Sequence, residues 1–481
     1  MQQPSLFWHD YETFGADPRR DRPAQFAGMR TDLDLHPIGP PVSFFCQPAT
    51  DVLPHPDACL LTGITPQQAA REGIAEPEFT ARVLEQLAMP GTCGVGWNSI
   101  RFDDEFTRQL LYRNFHDPYA REWRNGNSRW DLIDLARMAY ALRPQGMEWP
   151  RREDGAPSFR LEHLARANGF EPRHAHDALS DVESLLCLAR RLKSTQPRLW
   201  NWYYTLRDKR TVLGLLDVAQ MTPLLHVSQR YPAERGCLAV VMPIAMHPTQ
   251  SNAVIVADLD PDPDAWSGLD ADDLADRLFS ARADLPDGVE RVPLKLVHAN
   301  RSPALAPLSA LKDVERARIG LDLDRAQAHG ARLRGVAGLA ERVREIYARS
   351  AHAAPEDPEL ALYAGFLDDR DRPQRDAVRT APPQALAALA AGFRDPRYGE
   401  LLFRYRARHY PDTLDDEERT RWERFRHERL TRATPLTTLT LDDYFALIAT
   451  RRTAPEHAPD TLSVLDQLEA WGHQLAVASM I

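Results

Sequence analysis

The sequence has few lysines and few cysteines, and both shortages narrow what the protein can be. Nearly all of its 59 basic residues are arginines, because lysine occurs only at Lys193, Lys209, Lys295 and Lys312. The five cysteines are scattered and never spaced as CxxC, which argues against a disulfide framework and a zinc site. Arginine is therefore the main cation available for phosphate recognition, for which its forked guanidinium is well suited.

Long apolar runs are also missing. No apolar run reaches 18 residues, and the first residues show neither the basic flank nor the apolar core of a signal peptide. We therefore expect a cytoplasmic protein. The formal charge of −10 argues against a surface uniformly adapted to polyanions, although it leaves room for a local basic groove.

The order of strand-like and helix-like segments predicts three domains, at residues 1–196, 197–350 and 355–481. In the first, apolar runs such as “LFWHDYETF” and “TCGVGWN” alternate with amphipathic helices such as “DDEFTRQLLYRNF”, which is typical of an α/β domain. The second has short β-like runs divided by turn residues, which predicts a smaller α+β or barrel domain. The third consists of Arg- and Glu-rich amphipathic helices, including “PPQALAALAAGF”.

Two carboxylates interrupt the first apolar strand. Asp10 and Glu12 are two residues apart, so in a strand they project from the same face, with Leu6 and Trp8 further back. Adjacent carboxylates repel each other and lose hydration on burial, so a strand end keeps such a pair mainly when a cation neutralises it. A solvated strand end is the alternative interpretation.

Three more residues extend this pattern. Asp103 falls in the first turn of a predicted helix, where it could serve only as a cap. His176 precedes Asp181 by five residues, next to a helix predicted to begin at Asp177, and a lone histidine at a helix entrance is usually structural. The order Asp, Glu, Asp, His, Asp is nevertheless far more specific than any of its parts.

This joint pattern resembles the DEDDh 3′→5′ exonucleases, which have a ribonuclease-H-like fold. The likeness narrows to the bacterial exonuclease I family through “HDYETFG”, “DRPAQFA”, “LTGITPQ”, “NSRWDLIDL”, “PSFRLEHLARANG”, “HPTQSNAVIV” and “LLFRYRARHYPDTLD”. It covers nearly the whole chain. The resemblance implies an α/β ribonuclease-H-like exonuclease domain, a small SH3-like α+β domain and a helical C-terminal domain, together forming a C-shaped molecule around a groove.

The resemblance also implies the roles of the acidic residues. Asp10, Glu12 and Asp181 would coordinate two divalent cations, Asp103 would support the second ion, and His176 would be the general base. Ligands that are oxygen only, without cysteine, point to Mg²⁺, with Mn²⁺ as a substitute.

Contacts with single-stranded DNA follow from the same resemblance. The implied candidates are Glu12, Arg108, Tyr119, Trp123, Arg137, Arg160, Lys209, Asn252, Lys295 and Asn300. An ordinary amphipathic helix with an aromatic core is the alternative for the stretch around “YRNFHDPYAREW”. Thr222 stands where the family would have a lysine, so one phosphate or peptide contact is expected to be missing or moved.

A protein partner is implied as well. Members of the family bind the acidic, Phe-ending tail of single-stranded DNA-binding protein, and Arg143, Trp202 and Lys312 occupy matching or similar positions. The family further implies a monomer associated with the nucleoid and acting in DNA repair and recombination.

The sequence thus predicts a processive Mg²⁺-dependent exodeoxyribonuclease that degrades single-stranded DNA from the 3′ end to nucleoside 5′-monophosphates. One alternative is a DEDDh ribonuclease that trims RNA, but such enzymes are typically short, whereas more than half of this chain follows the first domain. The other is a non-catalytic scaffold that binds single-stranded DNA, against which all five expected catalytic positions are filled.

Overall fold

The computed structural model describes residues 3–171, 177–349, 354–453 and 461–478. They form two compact units that do not follow chain order. The first unit comprises residues 1–128, 172–183 and 354–481, and the second comprises residues 129–171 and 184–353. Within the described ranges, no helix combines the length and apolarity needed to span a membrane.

The N-terminal segment of the first unit contains a mixed sheet and four helices. The strands are β1 (Ser5–Thr13), β2 (Pro23–Thr31), β3 (Val42–Phe45) and β4 (Thr92–Gly96), and the helices are α1 (Pro56–Thr62), α2 (Pro66–Glu72), α3 (Glu76–Leu87) and α4 (Asp103–Arg113). β1 pairs antiparallel with β2 and parallel with β4, and β3 is antiparallel to β2. The predicted strands and helices of this segment are confirmed, whereas the short helices α1 and α2 were not predicted.

β1 lies between β2 and β4 in this sheet and is largely buried. Leu6, Phe7 and Trp8 are at most 1% exposed, in keeping with the apolar run that predicted the strand. Their packing anchors the strand, so that the carboxylates further along it are held in a defined position.

The second unit is built around an antiparallel sheet. Its strands are β5 (Ser128–Asp131), β6 (Leu224–Val227), β7 (Leu238–Met246), β8 (Ala253–Asp258), β9 (Leu294–His298) and β10 (Ala304–Pro307). Its helices are α5 (Leu132–Leu142), α6 (Leu161–Ala167), α7 (Ala178–Thr195), α8 (Pro197–Thr205), α9 (Lys209–Leu215), α10 (Ala271–Phe279), α11 (Leu323–Arg334) and α12 (Leu339–Arg349). The first residue of β5 and the start of α7 belong to the first unit. The strand order is β10-β6-β7-β8-β9. The short β-like runs expected in this part of the chain are confirmed as β6 to β9, and β10 is an addition.

The C-terminal segment is helical and belongs to the first unit. Its helices are α13 (Arg372–Thr380), α14 (Leu386–Leu389), α15 (Arg397–His409), α16 (Asp416–Thr431), α17 (Leu441–Arg452) and α18 (Thr461–Ala478). The continuous helix expected over “PPQALAALAAGF” is instead the four-residue α14 between short 3₁₀ turns. One apolar cluster joins this segment to the N-terminal one, with Phe14, Leu53 and Ile64 packed together with Tyr444 and Leu465.

A buried set of ion pairs, here called the ionic network, also joins the two segments. It consists of Asp51, Glu76, Glu359, Arg22, Arg113, Arg404, Arg408 and Arg429, none of them more than 8% exposed at the side chain. Arg408 lies 2.7 Å from Asp51 and 2.6 Å from Glu359. Each carboxylate therefore has at least two arginine partners, which compensates the loss of hydration on burial.

Candidate active site

The far end of β1 extends past its neighbour β4. β4 pairs with residues 5–8 only, whereas β2 continues alongside Asp10 and Glu12. Asp103, at the start of α4, binds the backbone of this part of β1: the Tyr11 amide donates a hydrogen bond to Asp103 Oδ1 at 3.1 Å. Asp103 is 2% exposed. A third carboxylate is thus fixed beside the two on the strand.

The start of α7 brings in a fourth carboxylate. Asp177 caps the helix as predicted, since its Oδ1 accepts the Ser180 amide at 3.1 Å, and Asp181 lies one turn further on. Gln25, the β2 residue opposite Glu12, donates to Asp177 at 3.4 Å and accepts from the Ala178 amide at 3.5 Å. The helix start is therefore tied to the sheet.

Asp10, Glu12 and Asp181 converge. One carboxylate oxygen from each lies within 4.8 Å of the other two. Burial, with the neighbouring charges of Asp181, Asp103 and Asp177, raises the pKa of Glu12 to about 9. Burial, with Asp103, Glu12 and Asp181, likewise raises the pKa of Asp10. We call Asp10, Glu12, Asp103 and Asp181 the acidic cluster.

The raised pKa values of Asp10 and Glu12 indicate that the acidic cluster needs positive charge nearby to stay ionised. Like-charged carboxylates in a buried site remain ionised only when cations balance them. All the donors are hard oxygens, which suit a divalent cation such as Mg²⁺ or Mn²⁺. The chemistry and spacing of this group therefore fit a divalent metal centre.

The expected general base, His176, lies outside the described residues. Among the described residues, His9 directly precedes Asp10 on β1 and is 1% exposed. Burial lowers the pKa of His9 to about 4, with Asp104 and Arg121 acting in opposite directions. His9 is therefore neutral at physiological pH and forms part of the packing behind the strand.

Sequence reasoning missed Gln25 as a positioning residue and treated Asp177 only as a cap. A single glutamine within “DRPAQFA” is part of no motif, so the sequence alone does not mark it as functional. The register that places Gln25 opposite Glu12 is the signal that identifies it, and it appears only once β1 and β2 are paired.

Besides Glu12 of the acidic cluster, three DNA-contact candidates lie in the first unit. Arg108 is 4% exposed and donates to Glu122 at 2.7 and 2.9 Å and to Glu105 at 2.8 Å. Its guanidinium also lies 5.4 Å from the ring centre of Tyr119. Trp123 is 62% exposed and is the more accessible of the two, whereas Arg108 would have to leave carboxylates to bind a phosphate.

Two candidates in or next to helices of the second unit differ in exposure. Arg137 is 6% exposed and donates to Asp134 at 2.8 Å. Arg160 precedes α6, is 63% exposed at the side chain and pairs with Glu162 at 2.6 Å. Arg160 is the more accessible of the two.

The other four candidates of the second unit lie on and around its sheet. Lys209 opens α9 and is half-buried, as is Asn252, which precedes β8. Lys295 lies on β9 with its Nζ 4.6 Å from the ring centre of Tyr231, and Asn300 is exposed. The contact roles of all these residues stay predictions.

A cavity of about 510 Å³ in the second unit includes two of the three partner-peptide candidates. Arg143 and Trp202 line it, together with Leu142, Pro197 and Leu199. Trp202 Nε1 donates to the Leu305 carbonyl at 2.8 Å, which fixes the indole in place. Lys312 is exposed and lies two residues beyond Ala310, which also lines the cavity.

Comparison with known proteins assigns the family. Over 431 residues, covering 89% of this chain and 90% of the relative, the chain is 46% identical to the exodeoxyribonuclease I of Escherichia coli strain K12. The chain belongs to the exodeoxyribonuclease I family. Within it, residues 7–188 match the family described as Exonuclease, residues 207–349 the Exonuclease I SH3-like domain, and residues 356–475 the Exonuclease I C-terminal domain.

Solved structures of exonuclease I agree with this assignment. The enzyme from Methylocaldum szegediense is 50% identical, with a TM-score of 0.94 over 98% of this chain and 99% of that one. The zinc-bound form of the E. coli exonuclease I complex with single-stranded DNA is 42% identical, with a TM-score of 0.92 over 99% of this chain and 100% of that one. An exonuclease domain followed by SH3-like and C-terminal domains is therefore confirmed as the fold class.

Proposed function

We propose that this member of the exodeoxyribonuclease I family hydrolyses single-stranded DNA processively from the 3′ end and releases nucleoside 5′-monophosphates. The observation that carries the proposal is the convergence of Asp10, Glu12 and Asp181, with Asp103 bonded to the Tyr11 amide beside them. Its substrate is taken from the related E. coli enzyme, which has been solved with single-stranded DNA.

Each acidic residue has a separate task. Asp10, Glu12 and Asp181 would hold two Mg²⁺ ions, and Asp103 would support the second ion directly or through water. When bound, such a pair would activate the attacking water and neutralise the charge that develops on the leaving oxygen. The buried β1 strand and the Gln25 contacts keep the carboxylates in register, so that little rearrangement is needed on binding.

His176 would accept the proton of the attacking water. An unperturbed imidazole titrates near neutral pH, which suits a general base. In the sequence, His176 directly precedes Asp177, the residue that caps the helix supplying Asp181. Replacing His176 should therefore lower the hydrolysis rate more than it lowers metal affinity.

The DNA strand would be held by exposed aromatic and basic side chains. Trp123 is suited to stack on an unpaired base, and Arg160 is suited to contact a phosphate near the scissile end. Glu12, Arg108, Tyr119 and Arg137 are further candidates, as are Lys209, Asn252, Lys295 and Asn300.

The decisive experiment is degradation of a 5′-labelled single-stranded oligonucleotide by the purified protein, with Mg²⁺, with Mn²⁺ and with EDTA. We expect short 5′-labelled remnants and nucleoside 5′-monophosphates when either metal is present, and intact substrate in EDTA. Release of labelled mononucleotide from the start would show the opposite polarity and refute the proposal.

Two substitutions tie the activity to the acidic cluster. Asp10→Asn and Asp181→Asn should each abolish degradation, because each removes a metal ligand. Asp412→Asn is the matched control, since Asp412 is exposed and lies outside the cluster. Full activity in either cluster variant would contradict the site assignment.

Substrate choice is tested by comparing single-stranded DNA and RNA of the same sequence. We expect faster degradation of DNA. Faster degradation of RNA would instead favour the trimming ribonuclease, and metal-independent binding without any product would favour the non-catalytic scaffold.

We also propose that the cavity around Arg143 and Trp202 binds the acidic, Phe-ending tail of single-stranded DNA-binding protein. The cavity has apolar walls at Leu142, Pro197 and Leu199, which suit a phenylalanine ring, and Arg143 offers a cation for the terminal carboxylate. Lys312 would add charge near the rim.

This interaction is measured by fluorescence anisotropy with a labelled tail peptide. Arg143→Ala and Trp202→Ala should each weaken binding about tenfold or more, because central aromatic and arginine anchors dominate such interfaces. Arg344→Ala, at an exposed residue of α12, is the control. Equal binding by all variants would place the peptide elsewhere.

The remaining expectations are proposals of the same kind. The domain boundaries 1–196, 197–350 and 355–481 are supported by the three matched family ranges, which fall within them. A cytoplasmic, nucleoid-associated monomer with a role in DNA repair and recombination would suit a single-strand nuclease. Light scattering of the purified protein tests the monomer.

A further inference from the structure

A second cavity, of about 240 Å³, lies within the first unit and is lined by none of the acidic cluster. Its walls come from residues 84–88 and 116–127 and from helix α13. Five arginines face it: Arg121, Arg124, Arg372, Arg375 and Arg379. Its only acidic lining residues among those described are Asp117 and Asp376.

Three of the five arginines already have carboxylate partners. Arg121 pairs with Asp104. Arg124 lies 3.4 Å from Asp117. Arg379 lies 2.6 Å from Asp376. The two acidic residues in the cavity wall are thus each engaged with one arginine, and the charge of the remaining two arginines is not balanced from the wall.

Arg375 is the more unusual of those two. It is only 3% exposed, yet no carboxylate of the described residues lies within ion-pair distance of it. Its Nη1 donates to Tyr398 Oη at 3.2 Å, and its guanidinium lies 5.9 Å from the ring centre of the same tyrosine. A buried guanidinium normally has an anionic partner, because desolvation of an unpaired charge is unfavourable. Arg375 therefore lacks the counter-ion that its burial calls for.

Arg372, one turn before Arg375 on α13, is exposed and likewise forms no ion pair with the described residues. Residues three or four apart lie on the same face of a helix, so Arg372, Arg375 and Arg379 form one row along the cavity. Two of the three guanidinium groups in this row form no ion pair with the described residues, so this wall of the cavity is suited to an anion.

His116 also lines the cavity. Burial, together with the charge of Arg379, lowers the pKa of His116 to about 4. The imidazole is therefore neutral at physiological pH. It can donate a hydrogen bond to an anion without adding another cation to the cavity.

We propose that this cavity binds a phosphomonoester dianion, with Arg375 and Arg372 as its main partners. Guanidinium groups bind phosphate oxygens through paired N–H donors, and a dianion would balance the two unpaired arginines. The cavity is smaller than the roughly 300–1,000 Å³ of typical sites for drug-sized ligands, which suits a phosphoryl group with a small attachment. The site holds whether or not the chain degrades DNA.

Isothermal titration calorimetry on the full-length protein tests this site, with inorganic phosphate and with deoxyadenosine 5′-monophosphate as probes. EDTA is present throughout, so that the acidic cluster holds no metal and repels both probes. We expect saturable binding of one probe molecule per chain. Similar affinity for the two probes would limit recognition to the phosphoryl group, and tighter binding of the nucleotide would include its sugar or base; both results support the site.

Two variants locate the binding. Arg375→Gln should weaken it about tenfold or more. If that variant fails to fold, as judged by its thermal unfolding, Arg372→Gln provides the same test at an exposed position. Arg344→Gln, at an exposed arginine of the second unit, should bind as the unsubstituted protein does. Binding that is absent from the unsubstituted protein, or unchanged in Arg372→Gln and Arg375→Gln, would overturn the proposal.

Discussion

The first unit contains two groups of buried or half-buried carboxylates with opposite electrostatics. In the acidic cluster, burial and neighbouring acids raise the pKa of Asp10 and Glu12. In the ionic network burial acts in the same direction, but the arginines around Asp51 and Glu359 outweigh it and lower the pKa of both carboxyls. Burial alone therefore does not distinguish a structural carboxylate from a functional one.

The source of the compensating charge does distinguish them. The ionic network carries its own cations, with Arg408 and Arg429 on Asp51 and Arg404 also on Glu359. In the acidic cluster, the charges that act on Asp10 and Glu12 are those of other acids, a setting that suits cations from outside. A group that depends on an external partner is adapted to bind one, whereas a group neutralised within the fold holds the fold together.

The largest expected effect is on activity. Asp10→Asn should lower the rate of DNA degradation by about a thousandfold or more, because one metal ligand is lost. The same substitution should leave the melting temperature in EDTA unchanged or raise it, since it removes a repelling charge. A large loss of stability would show that the acidic cluster is structural after all, like the ionic network.

The reverse is expected in the ionic network. Glu359→Gln should reduce the free energy of unfolding by about 3–5 kcal/mol, because it leaves buried arginines without their counter-charge. Urea denaturation measures this effect, and Glu417→Gln, at an exposed residue of α16, is the control. A loss no greater than that of the control would mean that the network contributes little.

Metal binding at the acidic cluster should stabilise the folded protein. A divalent cation at about a hundred times its dissociation constant should add about 2.7 kcal/mol to the free energy of unfolding. Differential scanning fluorimetry with Mg²⁺ or Mn²⁺ should show this as a rise in melting temperature. The rise should vanish in Asp10→Asn and persist in Asp412→Asn, and its persistence in Asp10→Asn would place the metal elsewhere.

The smallest effect concerns pH. Burial would raise the pKa of Glu76, but Arg113 and Arg22 lower it to about 2, against the usual value of 4.5. Below pH 4.5 the unfolded chain therefore takes up a proton that the folded chain does not. The contribution of Glu76 to stability is present above that pH and is lost as the pH falls toward 2. Urea denaturation between pH 6 and pH 3 should show a shallower decline for Glu76→Gln than for the unsubstituted protein.

Much of this arrangement could be predicted from local patterns. β1 and α7 follow from apolar periodicity, and the two-residue spacing of Asp10 and Glu12 places both on one face of the strand. The order of the acids along the chain then indicated the metal site. The four-residue strands β5 and β10 are too short to show a period, which is why they escaped prediction.

Long-range pairing could not be predicted. Asp51 and Arg408 are 357 positions apart, and nothing in “LLFRYRARHY” distinguishes an arginine that meets a carboxylate from one that faces water. The unpaired state of Arg375 is hidden for the same reason, because it depends on which acids the fold brings near. In a sequence with so many arginines, only the three-dimensional arrangement shows which are compensated.

The joining of the two ends of the chain in one unit has a consequence for biosynthesis. Thr65 Oγ1 donates to Gln467 Oε1 at 2.9 Å, across 402 positions, and the apolar cluster and the ionic network connect the same two segments. A ribosome releases the residues of the acidic cluster early, but their unit obtains its remaining partners only when the last helices emerge. Contacts of such long sequence separation also form slowly. The nascent chain therefore carries an incomplete nuclease unit until its synthesis is nearly finished.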